Sequence, residues 1–304
     1  MNLSRFKGVF PAFLACYDEA GEVSMDRTRA LAEYCMEKGA DGLYITGSSG
    51  EFVYQSVEER KLITKCVMET VGGRIPVIVH VAANSTRDSV ELAKYARDCG
   101  ADALASVPPY YFSMGPEGIM AYWNAIIEAA QLPFILYNIP GATNVSISQN
   151  IFTKMLENKH VIGIKNTTLP VIDILKFKAC GGDQCVVFNG ADEQFVAGRL
   201  MGADGGIGST YSAMLPLFVE ANRLADTGDF VRAGEIQKFI TTKILDMLQF
   251  KASIIASVKT LVQMLTGLET GAVRAPLVDN DATEREILRG IATEIIEMTH
   301  KYCA

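Results

Sequence analysis

Short apolar runs alternate with longer amphipathic stretches along most of the chain. The runs are Val9–Phe13, Gly42–Thr46, Val77–Val81, Ala103–Val107, Phe134–Tyr137, Val161–Ile164, Val186–Phe188 and Gly205–Gly208. Most are apolar throughout, as strands covered on both faces are. Between them, helical periodicity predicts helices over approximately Met25–Lys38, Val57–Val71, Thr86–Cys99, Pro116–Ala130, Ser148–Leu156, Leu169–Ala179, Glu193–Met201 and Ala213–Ala225. Ser56 with Glu59 forms a capping-box pattern, and Ser85 stands before Thr86–Cys99 as a further N-cap. Gly39, Gly100 and Gly202 close helices that lead into strands. The phrases EKGADGL, DCGADAL and LMGADGG recur at the helix-to-strand turn, so one supersecondary unit is reused.

Alternating strands and helices make a parallel sheet. Eight repeats favour closure into a barrel, and no GxGxxG opens the first unit as a dinucleotide fold requires. After Ala225 the periodicity is helical only, over Phe230–Phe250, Ser253–Thr266 and Thr283–Lys301. The expected architecture is α/β: a TIM (β/α)8 barrel over residues 1–225, with a C-terminal three-helix extension over 226–304.

Composition narrows the function. The net charge of -7, without a basic stripe, excludes nucleic acid as a natural partner. Arg285 and Arg289 lie among Glu284, Glu286 and Glu294 and read as a solvated helix face. Seven cysteines, odd in number and without CxxC spacing, point to buried reduced thiols. His80, His160 and His300 are far apart and form no HExxH pattern, so each reads as structural. No apolar run approaches the ~18 residues that span a bilayer. Arg5 and Lys7 before Val9–Cys16 loosely imitate a lipoprotein signal, but Pro11 interrupts the run and a first buried strand explains it better. The sequon Asn166-Thr167-Thr168 would place a glycan on the proposed site, which also argues against secretion. A cytoplasmic protein with no membrane partner is expected.

In such barrels the chemistry sits at the C-terminal ends of the strands. Here those ends carry Gly47-Ser48-Ser49-Gly50-Glu51, Pro108-Pro109-Tyr110-Tyr111, Tyr137-Asn138-Ile139-Pro140, Lys165-Asn166-Thr167, Asn189-Gly190-Ala191-Asp192-Glu193 and Gly205–Thr210. Lys165 ends an apolar run, so its stem should rise out of the barrel interior. An amine in partly apolar surroundings is poorly solvated as ammonium and becomes a nucleophile. The alternative is a lysine that snorkels at a strand end. Tyr137 ends the adjacent strand, about 4.8 Å away, and can meet Lys165 if both point inward. The glycine-flanked Ser48-Ser49 turn offers hydroxyls and backbone N–H groups to a carboxylate. Gly205, Gly206 and Gly208 mark close approach of backbone or ligand, which keeps a phosphosugar enzyme open as an alternative.

The motifs GSSGE, PYY, YNIP, GIKNT, NGADE and GADGGIGST, in this order, closely resemble the N-acetylneuraminate lyase and dihydrodipicolinate synthase superfamily. The resemblance runs from about Phe6 to Pro276. It implies a barrel enzyme that forms a lysine Schiff base with pyruvate, needs no metal or organic cofactor, and assembles as a homotetramer. Carried over, Lys165 is the Schiff-base lysine and Tyr137 the catalytic tyrosine. Ser48 and Ser49 hold the pyruvate carboxylate, and Tyr111 reaches across a dimer interface. Synthases carry an Arg shortly after YN-x-P, whereas this chain has Gly141-Ala142-Thr143-Asn144. Thr167, Gly190, Asp192, Glu193 and Ser209 match the lyase positions that bind a sugar's hydroxyl tail. Ser49 stands where Thr is usual, Ala191 replaces an aromatic, and Pro108 stands where Thr is common. The resemblance therefore implies cleavage of N-acetylneuraminate, a sialic acid, to pyruvate and N-acetylmannosamine. Another pyruvate-dependent aldolase, such as a 2-keto-3-deoxy sugar acid aldolase or dihydrodipicolinate synthase, is the first alternative. A non-catalytic sugar-acid binding barrel is the last.

Overall fold

The computed structural model describes residues 2–112 and 114–303. Eight strands appear: β1 (Gly8–Pro11), β2 (Leu43–Ile45), β3 (Val77–His80), β4 (Ala103–Ser106), β5 (Phe134–Asn138), β6 (Val161–Asn166), β7 (Val186–Asn189) and β8 (Gly205–Gly208). All pair in parallel in the order β1-β8-β7-β6-β5-β4-β3-β2. The parallel bridge between Ala12 and Tyr44 closes β1 onto β2. The chain is a TIM barrel, as its repeated strand–helix pattern predicts.

Helix boundaries follow local chemistry. The Ser56 hydroxyl accepts from the Glu59 N–H at 3.2 Å, and the Glu59 carboxylate accepts from the Ser56 N–H at 2.7 Å. Gly39, Gly100 and Gly202 take φ of 87°, 86° and 95°, which only glycine adopts without strain. The helix expected from Leu169 begins instead at Ile172. Pro170 lies between, and the residue before a proline is held out of the helical region. The helix expected from Glu193 begins at Phe195, because Asp192–Gln194 form a 3-10 turn.

Two apolar layers define the core. One fills the barrel interior and includes Phe10, Tyr44, Ile78, Ile135, Tyr137, Phe188 and Ile207. The other lies between strands and helices and includes Leu43, Ile45, Phe134, Leu136, Ile164 and Trp123. Helices Phe230–Met247, Ile254–Thr266 and Ala282–Tyr302 add Ile240, Leu261 and Leu288 to this second layer, so they share the barrel's core. No helix among the described residues is long and apolar enough to cross a membrane. All seven cysteines are unpaired; Cys303 is exposed, while Cys16, Cys35, Cys66 and Cys185 are buried.

β6 departs from regular alternation. Phe134 pairs with Val161, but the next residue, Ile135, pairs with Gly163, so Ile162 is an extra residue on β6. Ile162 packs in the interior layer and Ile164 in the outer one. This bulge resets the in–out phase by one position. Lys165 consequently pairs with Tyr137 on one side and Phe188 on the other, both interior residues.

Candidate active site

Lys165 is 4% exposed, and its Nζ lies 4.0 Å from the centroid of the Tyr137 ring and 4.8 Å from that of Tyr44. Lys178 and Lys259 each contact a carboxylate at 2.7 Å, whereas Lys165 pairs with none among the described residues. A buried amine without a carboxylate partner is placed to attack a carbonyl that enters the site.

Tyr44 and His80 support this pair from below. Tyr137 meets the Tyr44 ring at 5.9 Å and the His80 ring at 6.1 Å, both edge to face. Burial pushes the Tyr44 phenol well above its usual range, so it stays neutral. Burial, with the Arg60 guanidinium beside it, holds His80 well below the usual imidazole range. A neutral imidazole has one donor and one acceptor. His80 Nδ1 lies 3.0 Å from the Thr46 carbonyl and donates to it, while Nε2 accepts the Val107 N–H at 3.4 Å.

The Ser48–Gly50 segment is a single 3-10 turn at the end of β2. Ser49 is buried and Ser48 half-buried. A Cβ on Gly47 would lie 2.5 Å from the Tyr44 ring. Glycine at 47 thus brings this turn against the tyrosine that also faces Lys165.

Thr167, Gly190, Asp192, Glu193 and Ser209 line one cavity of about 370 Å³. Its apolar wall includes Ile139, Ala191, Ile244 and Leu248. The buried Thr167 hydroxyl has no hydrogen-bond partner among the described residues. Gly190 permits this arrangement, since a Cβ there would lie 2.0 Å from that oxygen. One Asp192 oxygen accepts from the Thr210 N–H at 2.9 Å and the Thr210 hydroxyl at 2.6 Å. The other lies against Gly208, where a Cβ would come within 1.9 Å. Burial pushes the Asp192 carboxyl up to about 6, against the opposing pull of the Thr210 hydrogen bonds. Tyr111 does not join these residues within one chain. It is 85% exposed and lines a different cavity with Tyr110, Phe112 and Met114. Among the described residues no group of three or more His, Cys, Asp or Glu side chains is arranged to hold a metal ion.

The Dihydrodipicolinate synthetase family model matches residues 5–295. The chain belongs to this family. It is 42% identical to the N-acetylneuraminate lyase of Mediterraneibacter gnavus, covering 99% of this chain and 96% of that one. N-acetylneuraminate lyase 2 of Escherichia coli is 31% identical, over 96% and 95% of the two chains. Among solved structures, the catalytic lysine mutant of the Ruminococcus gnavus sialic acid aldolase superposes with a TM-score of 0.97 at 42% identity, covering 99% of each chain.

Sequence reasoning about this family member missed two groups, Tyr44 and the asparagine rung. Tyr44 sits inside a run read simply as strand, although period-two alternation would have placed it inward. Asn138, Asn166 and Asn189 share one register across β5, β6 and β7. Asn138 Nδ2 donates to Asn166 Oδ1 at 2.7 Å and Asn189 Nδ2 to the Ala191 carbonyl at 2.7 Å, bracing the strand ends that carry the site.

Proposed function

We propose that this protein is a Schiff-base lyase that cleaves N-acetylneuraminate to pyruvate and N-acetylmannosamine. The observation that carries this reading is Lys165, buried, unpaired with any carboxylate among the described residues, and 4.0 Å from the Tyr137 ring. Its unprotonated Nζ attacks C2 of the open-chain keto acid, and loss of water gives an iminium. The iminium accepts the electron pair of the breaking C3–C4 bond as the C4 hydroxyl gives up its proton. Tyr137 moves that proton, with the substrate carboxylate and the Ser48 and Tyr111 hydroxyls assisting. The aldehyde leaves, the enamine is protonated at C3, and hydrolysis releases pyruvate and the free amine. Covalent catalysis replaces one difficult step by several easier ones.

The Ser48-Ser49 turn receives the carboxylate. Thr167, Gly190, Asp192, Glu193 and Ser209 receive the hydroxyl tail, which orients C4 for deprotonation. The unpartnered Thr167 hydroxyl supports this assignment, because a buried polar group without a partner is costly. Assembly is part of the proposal: a cytoplasmic homotetramer in which exposed Tyr111 enters the neighbouring subunit's site.

Incubation with pyruvate followed by borohydride tests the reading. Peptide mapping is expected to find the reduced adduct on Lys165, and pyruvate release is expected to be faster from N-acetylneuraminate than from 2-keto-3-deoxy sugar acids. An adduct on another lysine overturns the site.

Asp192 sets a pH dependence. As carboxylate it accepts hydrogen bonds from the sugar, so kcat/KM is expected to fall as pH drops through about 6. Stability moves the other way. The folded carboxyl binds its proton more tightly than an unfolded one, whose value is 3.8. The stabilising contribution is therefore complete below that value and is lost as pH rises through about 6. Asp192→Asn is expected to remove the acid limb from the kcat/KM profile. A limb that survives in the variant belongs to another group.

A further inference from the structure

Glu51 ends the Ser48–Gly50 turn and is buried, with backbone φ 55° and ψ 32°. This left-handed conformation is unfavourable for a residue other than glycine, so the surroundings must impose it. Thr46, on the other side of the turn, also has a left-handed φ, 54°. Between these two residues the turn has no side-chain cap of its own. Its orientation is therefore set at its ends. His80 secures the first end through the Thr46 carbonyl.

The second end is secured from the opposite terminus of the chain. Lys259, on helix Ile254–Thr266, places Nζ 2.7 Å from Glu51 Oε1, and the two side chains are 3% and 0% exposed. Lys259 Nζ also donates to the Ala272 carbonyl at 3.0 Å. The Arg274 N–H donates to Glu51 Oε2 at 2.8 Å, so each carboxylate oxygen has a donor from the extension. The Arg274 side chain in turn donates to the Tyr54 carbonyl at 3.1 Å and pairs with Glu59. The Tyr17 ring packs against both cations, 4.6 Å from Lys259 Nζ and 4.4 Å from the Arg274 guanidinium. A buried ion pair is a poor source of stability, because desolvation of both charges offsets their attraction. Its effect here is geometric.

We propose that Lys259 and the Arg274 backbone are positioning groups for the substrate-carboxylate turn, setting the orientation of Ser48 and Ser49 through the buried Glu51 carboxylate. The C-terminal helices then complete the active site as well as covering the barrel. This rests on the reading of Ser48-Ser49 as the carboxylate site.

Borohydride trapping at Lys165 over a range of pyruvate concentrations tests the proposal, with butanone, a ketone lacking a carboxylate, as second probe. The double variant Glu51→Gln/Lys259→Met removes both charges with little change in volume. Its half-saturating pyruvate concentration is expected to rise about tenfold, the scale of a lost charge-assisted hydrogen bond, while butanone trapping changes by less than about twofold. Should the double variant not fold, Glu51→Asp, which keeps both charges but shortens the reach to Lys259 and the Arg274 N–H, is measured, with a smaller rise in the same direction. An unchanged half-saturating concentration overturns the proposal. An equal loss with both ketones also overturns it, since that marks general damage to the barrel. Failure of the unaltered protein to trap pyruvate at Lys165 instead sinks the functional reading on which this one rests.

Discussion

Lys165→Ala is expected to lower kcat/KM for N-acetylneuraminate cleavage by ~10⁴-fold or more, because the covalent route through the iminium is then closed. What remains is the cavity proposed to receive the sugar acid, so ligand binding should survive far better than turnover. The fold should survive as well. Lys165 contacts no carboxylate among the described residues, so its removal leaves no buried charge without a partner. Its loss leaves a space between the Tyr137, Tyr44 and Phe188 side chains, a modest packing defect. Pyruvate release and a thermal unfolding scan on the same preparation separate the two effects. A loss of activity smaller than about tenfold would remove Lys165 from the chemistry.

Tyr137→Phe is expected to lower kcat by ~10²–10⁴-fold, the range for a lost proton-transfer group, with KM moving only a few-fold. Phenylalanine keeps the edge-to-face packing against Tyr44 and His80 and leaves the ring beneath Lys165 in place. The substitution therefore isolates the hydroxyl. Imine formation should be affected less than C–C cleavage, so borohydride still traps pyruvate while turnover is slow. Steady-state kinetics and single-turnover trapping together read this difference. Equal losses in both would mean that the hydroxyl already acts in imine formation and not chiefly in C–C cleavage.

Much of this arrangement is legible in the residues. The eight apolar runs mark the strands because strands covered on both faces must be apolar. Ser56 with Glu59, and Gly39, Gly100 and Gly202, mark helix ends for reasons of hydrogen bonding and backbone sterics that hold in any context. The strand-end rule then collects Ser48, Tyr137, Lys165 and the Gly190–Glu193 segment onto one rim. Less was legible where a local segment answers to distant partners. The 3-10 turn at Asp192–Gln194 displaces the start of the following helix, and the Asp192 carboxylate, tied to Thr210, holds that turn. His80 looks like any isolated histidine in sequence. Only the folded barrel places its ring between the Thr46 turn and Tyr137.

The sequence by itself determined the repeating strand–helix order, the closure into a barrel, the family, and the apolar run that leads into Lys165. Tertiary structure alone decided which way that lysine points. Because both faces of β6 are buried, its apolar run carries no in–out phase, and a shift of one residue reverses every side chain. The extra residue at Ile162 makes that shift and turns Lys165 inward, beside Tyr137. Tertiary structure also joined Glu51 to Lys259 across 208 residues. No local pattern encodes such a contact, since it exists only once the barrel has closed and the last helices have packed against it.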